Sequence, residues 1–585
     1  MIRVHGTRGE IGRARGLEAG WTGMAGGFFG RAAGRGGRIA LVAAIAVLAL
    51  ICLVAEGSLA TTPFTFACAL IPALTLTVAT RRPLFSLGLV GALLVSLALA
   101  SKTKSLMMAM TLHAWDFVYF SRSPAEILFM IEHYPEEMRE AGIALAAMLA
   151  FGAALLWFDP LRVRRRVAGA CLGVSAAAVV LLYQILGAPD VSYFFRGRYL
   201  LSSFFISIPE AAGVMRAGGF FAARAGAGPT DAIRPGLSCP VSANYPSIVL
   251  TLNESAFPPN QFSSLAYTPA LLEHFRGPDG KIHKLGVETF GGGTWLTEFN
   301  VLTGLSTWPL GNVRTYVGRL LQGRIKHALP SYLRACGYET MAFYPAPGDF
   351  VNSRPFYASL GFDHFYDAKD MKARGQERDA FYYAKALAQA RAHFASSDKP
   401  LFIFIITSAT HFPYDARMSP EDDIEGGGEG NSAEFNEYLR RLALGQKDHE
   451  AFRAGLAAAF PGRKFVLAHF GDHQPFIAGA LQDVPDEEIA TGAPDPAKLS
   501  QLYETYYKFE PLNTKLVPTP DFDKIDSPYL STLLLLAAGV PLDDAFNARE
   551  RLMRLCAGKL AGCVAAEAVG RLYRGLIEAG LLVDR

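Results

Sequence analysis

Five apolar stretches in the first third of this 585-residue chain constrain its fold more than any other feature. They run over 39–55, 61–80, 84–100, 141–158 and 167–186. Each is of the order of the ~17–25 residues that cross a bilayer as a helix. Short connections and almost no internal charge set them apart from buried helices of a soluble protein. The first run is followed at once by others, which separates it from a cleaved signal peptide. Arg3, Arg8, Arg13, Arg15, Arg31, Arg35 and Arg38 precede the first span. Arg81 and Arg82 come after the second, and Arg162, Arg164, Arg165 and Arg166 precede the fifth. With five spans these three basic segments share one side, the cytoplasm. Lys102 and Lys104 fall on the other side and run against the pattern. Everything beyond residue 186 is then extracytoplasmic. The expected organisation is a basic cytoplasmic arm (1–37), a five-helix membrane domain (38–188), a juxtamembrane linker with an interfacial helix (189–236) and an exported domain (237–585). The expectation is a multi-pass membrane protein with its exported domain on the extracytoplasmic side.

The net charge of +3 gives no reason to expect a nucleic-acid partner, because the basic residues cluster between apolar runs. A transport path is disfavoured by spans so poor in ionisable residues. The connection 106–140, with His113, Trp115, Asp116 and Phe117, lies near the outer membrane face and reads as a surface loop or a lipid contact. Cys239, Cys336, Cys556 and Cys563 lie in the exported part, where disulfides form; Cys556 with Cys563 is the first pairing expected.

From about residue 237 the pattern becomes that of an α/β domain. SIVLTL (247–252), TMAFY (340–344), LFIFII (401–406) and KFVLAHF (464–470) read as buried strands. Helical stretches between them predict a mostly parallel sheet covered on both faces. Ligands bind such sheets beyond the carboxyl ends of the strands. The residues at those ends carry chemistry: Glu254 after the first strand, Asp349 after the second, His411 after the third, Asp472 and His473 after the fourth.

Glu254, Asp472 and His473 offer two carboxylates and an imidazole, a set suited to one divalent ion, Mn²⁺ before Zn²⁺ or Mg²⁺. FGGGTWLTEF (290–299) supplies a hydroxyl, Thr294, where three glycines open a helix. The glycines let backbone approach a phosphoryl group, and the helix start aims N–H groups at an anion. Thr294 as metal-coordinated nucleophile competes with Thr294 as an ordinary helix N-cap. The Lys-Ser/Thr ending of a nucleotide P-loop is missing. His411 suits a phosphate-binding group or the acid for a leaving oxygen. His469, just before the ligands, reads as a supporting residue rather than a ligand.

These pieces together resemble lipoteichoic acid synthase and related phosphoglycerol transferases, in the alkaline phosphatase–sulfatase superfamily. The resemblance rests on LNES (252–255), GTWLTEFNVLTGLS (293–306), PSYLRACGYET (330–340), FVNSRPFYASLGFDHFYD (350–367), TSATHFPY (407–414) and FGDHQP (470–475). It implies a sulfatase-like α/β fold, with metal on Glu254, Thr294, Asp472 and His473, Thr294 as nucleophile and His411 on the substrate side. The family's Phe-Trp-Asn-Arg motif reads Phe350-Val351-Asn352-Ser353-Arg354 here, so Asn352 and Arg354, with Asp349 beside them, are the expected head-group contacts. The implied activity moves phosphoglycerol from a phospholipid such as phosphatidylglycerol to an envelope glycan or polymer through a phospho-threonine. The alternatives are a phosphoethanolamine transferase using phosphatidylethanolamine, a phosphodiesterase, or a membrane-anchored binding protein without catalysis. A sulfatase would need a C/S-x-P-x-R motif, which the chain lacks.

Overall fold

The computed structural model describes residues 35–108, 110–122, 131, 135–186, 191–195, 197–216, 219–221, 230–482 and 500–584. The basic arm up to residue 34, parts of the 106–140 connection and part of the 189–236 linker lie outside them. The chain divides into two compact units, one of residues 1–189 and 193–211, the other of residues 190–192 and 212–585.

The first unit is helical. Its long helices are α1 (Arg35–Glu56), α2 (Thr62–Thr80), α3 (Pro83–Met108), α4 (Pro135–Phe158) and α5 (Arg165–Leu186). Each contains a segment long and apolar enough to cross a membrane. Leu48, Cys52, Ala69, Ala73, Val90 and Leu94 pack between helices. Val42, Val54, Trp157, Val174 and Ile185 point outward and are exposed. A helix bundle with apolar side chains on its outer face suits hydrocarbon rather than water as its surroundings. Lys104, at odds with the charge pattern in sequence, has its ammonium 2.7 Å from the Asp116 carboxylate. The Glu56 carboxylate accepts bonds from Ser202 N at 2.8 Å and from Ser202 Oγ at 2.6 Å. That ties the helix Ser202–Arg216 to the end of α1.

The second unit is built on one eight-stranded sheet of order β4-β3-β5-β1-β6-β7-β2-β8. The strands are β1 (Ser247–Asn253), β2 (His283–Gly286), β3 (Glu339–Phe343), β4 (His364–Tyr366), β5 (Leu401–Ile406), β6 (Phe465–Gly471), β7 (Glu504–Leu512) and β8 (Lys524–Asp526). From β4 to β6 all pairs are parallel; β7 runs antiparallel to both β6 and β2. The sheet is therefore mostly parallel, as the sequence predicts, with one reversed strand inside it. β1, β5 and β6 are buried along their whole length, because helices cover both faces. On one face α7 (Asp379–Phe394) and α8 (Ala433–Ala459) lay Tyr382, Tyr383, Phe452 and Leu456 against Val249, Ile403 and Leu467. Disulfides join Cys556 to Cys563, the pairing expected first, and Cys239 to Cys336.

Candidate metal centre

β1 and β6 are neighbours in register, with Asn253 opposite Gly471, so the residues after them emerge side by side. These are Glu254 on one strand and Asp472 and His473 on the other. Glycine at 471 makes the approach feasible: a Cβ there would meet the Ala256 carbonyl oxygen at 1.9 Å. Ser255 turns into the left-handed region at φ 53°, a conformation costly for a residue with a side chain. Its amide donates to Asp472 Oδ1 at 2.7 Å, and its hydroxyl donates to Glu254 Oε1 at 2.8 Å. The strained residue thus positions both carboxylates.

The third contribution comes from α6 (Thr294–Thr303). Gly291, Gly292 and Gly293 all have positive φ, and Gly293, not Thr294, is the N-cap. The cap reading of Thr294 falls for this reason: Thr294 is the first helical residue, and its hydroxyl serves no cap bond. Thr294 Oγ1 instead donates to Glu254 Oε2 at 3.0 Å and lies 3.4 Å from His473 Nε2. His473 Nε2 is 3.2 Å from Asp472 Oδ2 and 3.5 Å from Glu254 Oε1. Ligand atoms of Glu254, Asp472 and His473 all lie within 4.8 Å of one another, and all three residues are buried.

The donor set fits a divalent ion on its own chemistry. Asp472 Oδ2 is buried and has no hydrogen-bond partner. His473 Nδ1 donates to the Gln474 carbonyl at 2.9 Å, which leaves the lone pair of a neutral ring on Nε2. Lone pairs of Glu254, Asp472 and His473 therefore converge, and either a proton or a cation has to sit among them. Burial, and then the nearby Glu254 carboxylate, pushes Asp472 up to about 7. Burial opposes protonation of His473, but Asp472 and Glu254 outweigh it and raise the imidazole above its usual value.

The remaining predicted residues have other settings. His411 is exposed on the loop after β5, while its neighbour Thr410 bonds the Glu254 carbonyl through its hydroxyl. Asn352 is buried and donates its amide to Gly318 O and Gln322 Oε1, both at 3.1 Å. Arg354 has its Nη2 2.7 Å from Asp367 and 2.6 Å from Asp370, and its Nη1 donates to the Phe365 carbonyl at 3.2 Å. Asp349 is half-exposed, with its carboxylate 4.0 Å from Lys369. His469 sits on β6, facing away from this cluster's ligand set, with Nδ1 3.1 Å from Asn253 Oδ1.

Sequence reasoning missed Ser255, Thr297 and Glu298. Thr297 Oγ1 donates to the Asp472 carbonyl at 2.7 Å. Glu298 stands one helical turn after Thr294 and is fully buried, with the Tyr357 hydroxyl donating to it. Burial pushes its carboxyl up to about 8; the Tyr357 bond opposes this, and Asp472 and Glu254 add to it. The i, i+4 spacing from Thr294 was the signal available for Glu298.

Comparison with known proteins finds that the sulfatase family model matches residues 264–505. An uncharacterised protein of Haemophilus influenzae is 24% identical over 339 residues, 55% of this chain and 58% of its own length. A candidate cyclic beta-1,2-glucan modification protein of Rhizobium meliloti is 28% identical over 238 residues, 39% of this chain and 36% of its own length. The chain thus spans little more than half of the first relative and about a third of the second. Among solved structures, the Streptococcus pyogenes phosphoglycerol transferase in complex with sn-glycerol-1-phosphate is 17% identical, with a TM-score of 0.46, over 59% of this chain and 88% of that one.

Proposed function

We propose that the protein is a membrane-anchored, metal-dependent transferase that moves a phosphoglycerol head group from phosphatidylglycerol to an envelope glycan. The observation that carries this reading is the Thr294 hydroxyl, 3.0 Å from Glu254 and 3.4 Å from His473 Nε2 within the buried donor cluster. An isolated threonine hydroxyl is a poor nucleophile; one aimed into converging carboxylates and an imidazole is placed to lose its proton. A bound divalent ion, Mn²⁺ by the character of the donor set, supplies charge neutralisation and a lowered hydroxyl pKa there.

In the first half-reaction Thr294 Oγ1 forms a bond to phosphorus while the bond from phosphorus to the diacylglycerol oxygen breaks. Diacylglycerol leaves with a proton, for which His411 is the candidate donor, and the proton that Thr294 releases replaces it through water. In the second half an acceptor hydroxyl oxygen attacks the same phosphorus, the bond to Oγ1 breaks, and the acceptor's proton restores the Thr294 hydroxyl. Gly291 to Gly293 give the phosphoryl group room at the start of α6. Asn352, Arg354 and Asp349 remain candidates for the head group's surroundings, Arg354 only by exchanging its present carboxylate partners.

The five apolar helices support a multi-pass protein of the bacterial cytoplasmic membrane. The basic connections Arg81–Arg82 and Arg162–Arg166 favour an extracytoplasmic catalytic domain. Tethering suits a lipid donor, because it keeps the nucleophile at the surface where the donor resides. The name of the Rhizobium relative supports a cyclic glucan as acceptor.

The test is head-group transfer by the full chain in proteoliposomes. Vesicles carry labelled phosphatidylglycerol or labelled phosphatidylethanolamine, and a cyclic glucan is supplied. Label on the glucan from phosphatidylglycerol alone supports the reading. Label from phosphatidylethanolamine alone replaces the head group, and release of free glycerol phosphate without transfer makes the protein a hydrolase.

A further inference from the structure

We propose that His449, His469 and Glu510 form a second divalent-cation site, of zinc type, whose open position faces a cavity on the α8 side of the sheet. The three residues come from α8, β6 and β7, and their ligand atoms lie within 4.8 Å of one another. None belongs to the Glu254–Asp472–His473 cluster. Two imidazoles and one glutamate are a ligand set of zinc sites that keep a fourth position open.

Register explains the convergence. His469 pairs with Lys508 across β6 and β7, and Glu510 lies two residues further on the same face. α8 crosses that face and delivers His449, whose ring centroid is 4.1 Å from that of His469. Around them the sheet face is apolar, so a polar group here needs a partner. His449 Nε2 is 2.7 Å from Glu510 Oε2, but His449 Nδ1 is buried without a hydrogen-bond partner. His274, which lines the adjoining cavity, also has Nδ1 buried without one.

The outer partners orient the donors as they do in metal sites. Asn253 Oδ1 accepts from the Tyr506 hydroxyl at 2.9 Å. Opposite that oxygen, 3.1 Å away, His469 Nδ1 donates, and the lone pair falls on Nε2. Lys508 Nζ binds the other carboxylate oxygen, Glu510 Oε1, at 2.8 Å. It leaves Oε2 to the site, and its charge makes the site weaker than an unopposed one.

The cavity, about 390 Å³, is lined by His274, Arg276, His449, Arg453, Lys508 and Glu510 among others. It gives an ion a route in and leaves room for water or a small anion in the fourth position. The site is also joined to the first through the strand ends. His469 is three residues before Asp472, and Asn253 precedes Glu254.

The full chain in detergent, equilibrated with Zn²⁺ and counted by elemental mass spectrometry, tests this. Wild type should hold two equivalents. A Glu254→Ala/Asp472→Ala variant should hold one. His449→Gln/Glu510→Gln should also hold one, while keeping the ion at the Thr294 site. One equivalent in wild type that His449→Gln/Glu510→Gln retains, or two in that variant, overturns the proposal. Should that variant fail to fold, anomalous scattering at the zinc edge from wild-type crystals decides. A peak between the three side chains supports the site, and density without one overturns it.

Discussion

Glu254 Oε2 accepts a hydrogen bond from Thr294 Oγ1 at 3.0 Å, although 40 residues separate them and neither lies in a strand. The contact depends on β1 ending beside β6 and on three positive-φ glycines starting α6 beneath them. Thr294→Ala keeps the backbone path and removes the hydroxyl together with the γ-methyl. Transfer should fall to background, a loss on the order of 10⁴–10⁶-fold for a nucleophile. The melting temperature should change little. Thr294→Ser should keep partial activity, since it retains the oxygen. The check is transfer rate alongside thermal unfolding for each variant.

Removal of the divalent ion should abolish activity, and Mn²⁺ should restore it. Glu254→Gln keeps the shape of the side chain but removes a negative charge from the donor set. It should weaken Mn²⁺ binding by at least about tenfold, measured by titration calorimetry. Unchanged affinity would remove Glu254 from the ligand set.

Asp379, outside that ligand set, gives a pH dependence of its own. Its carboxylate accepts from the Ala409 amide at 3.1 Å. Burial, as the leading cause, pushes it up to about 7 from 3.8. The folded state thus binds a proton that the unfolded state has released between these values. Its stabilising effect is complete below about pH 4 and is lost as pH rises through about 7, a change of roughly 4 kcal/mol at most. Asp379→Asn should flatten the fall of melting temperature over that window, read by calorimetry from pH 4 to 8.

The two disulfides should differ in weight. Cys239–Cys336 closes a separation of 97 residues and Cys556–Cys563 one of 7. A longer loop removes more entropy from the unfolded chain. Replacing the first pair by serine should cost about 2–4 kcal/mol, and replacing the second should cost less. Denaturant unfolding of the two double variants ranks them.

Arg354→Ala separates a structural role from substrate binding. With Asp367 and Asp370 on its guanidinium, the expected outcome is a stability loss within about 1 kcal/mol and a KM for lipid within about twofold of wild type. A rise in KM of tenfold or more would restore Arg354 to the head group.

Membrane spans and central strands were legible in the sequence because each carries an uninterrupted apolar run. β7 was not: ETYYKFEPL mixes charge, aromatics and Pro511. Its Lys508 and Glu510 are buried or nearly so only because they pair with each other and with His449. β2, β4 and β8 are three or four residues long, too short for alternation to register. At the centre, Glu254, Thr294, Asp472 and His473 stood out because each comes just after a strand or opens a helix. Ser255 did not, since its part depends on a left-handed backbone angle that composition does not announce. Nor did the carboxylate contacts of Arg354, which depend on Asp367 just after β4 and Asp370 in the short helix Ala368–Met371.

The central claim, Thr294 as the covalent carrier of the head group, is tested most directly by peptide mass spectrometry. Full-length protein is incubated with phosphatidylglycerol and Mn²⁺ without acceptor, quenched and digested. The account predicts a glycerophosphoryl adduct on Thr294 that disappears when acceptor is added. Sustained turnover with Thr294 unmodified, or an adduct on another residue that survives Thr294→Ala, would contradict it.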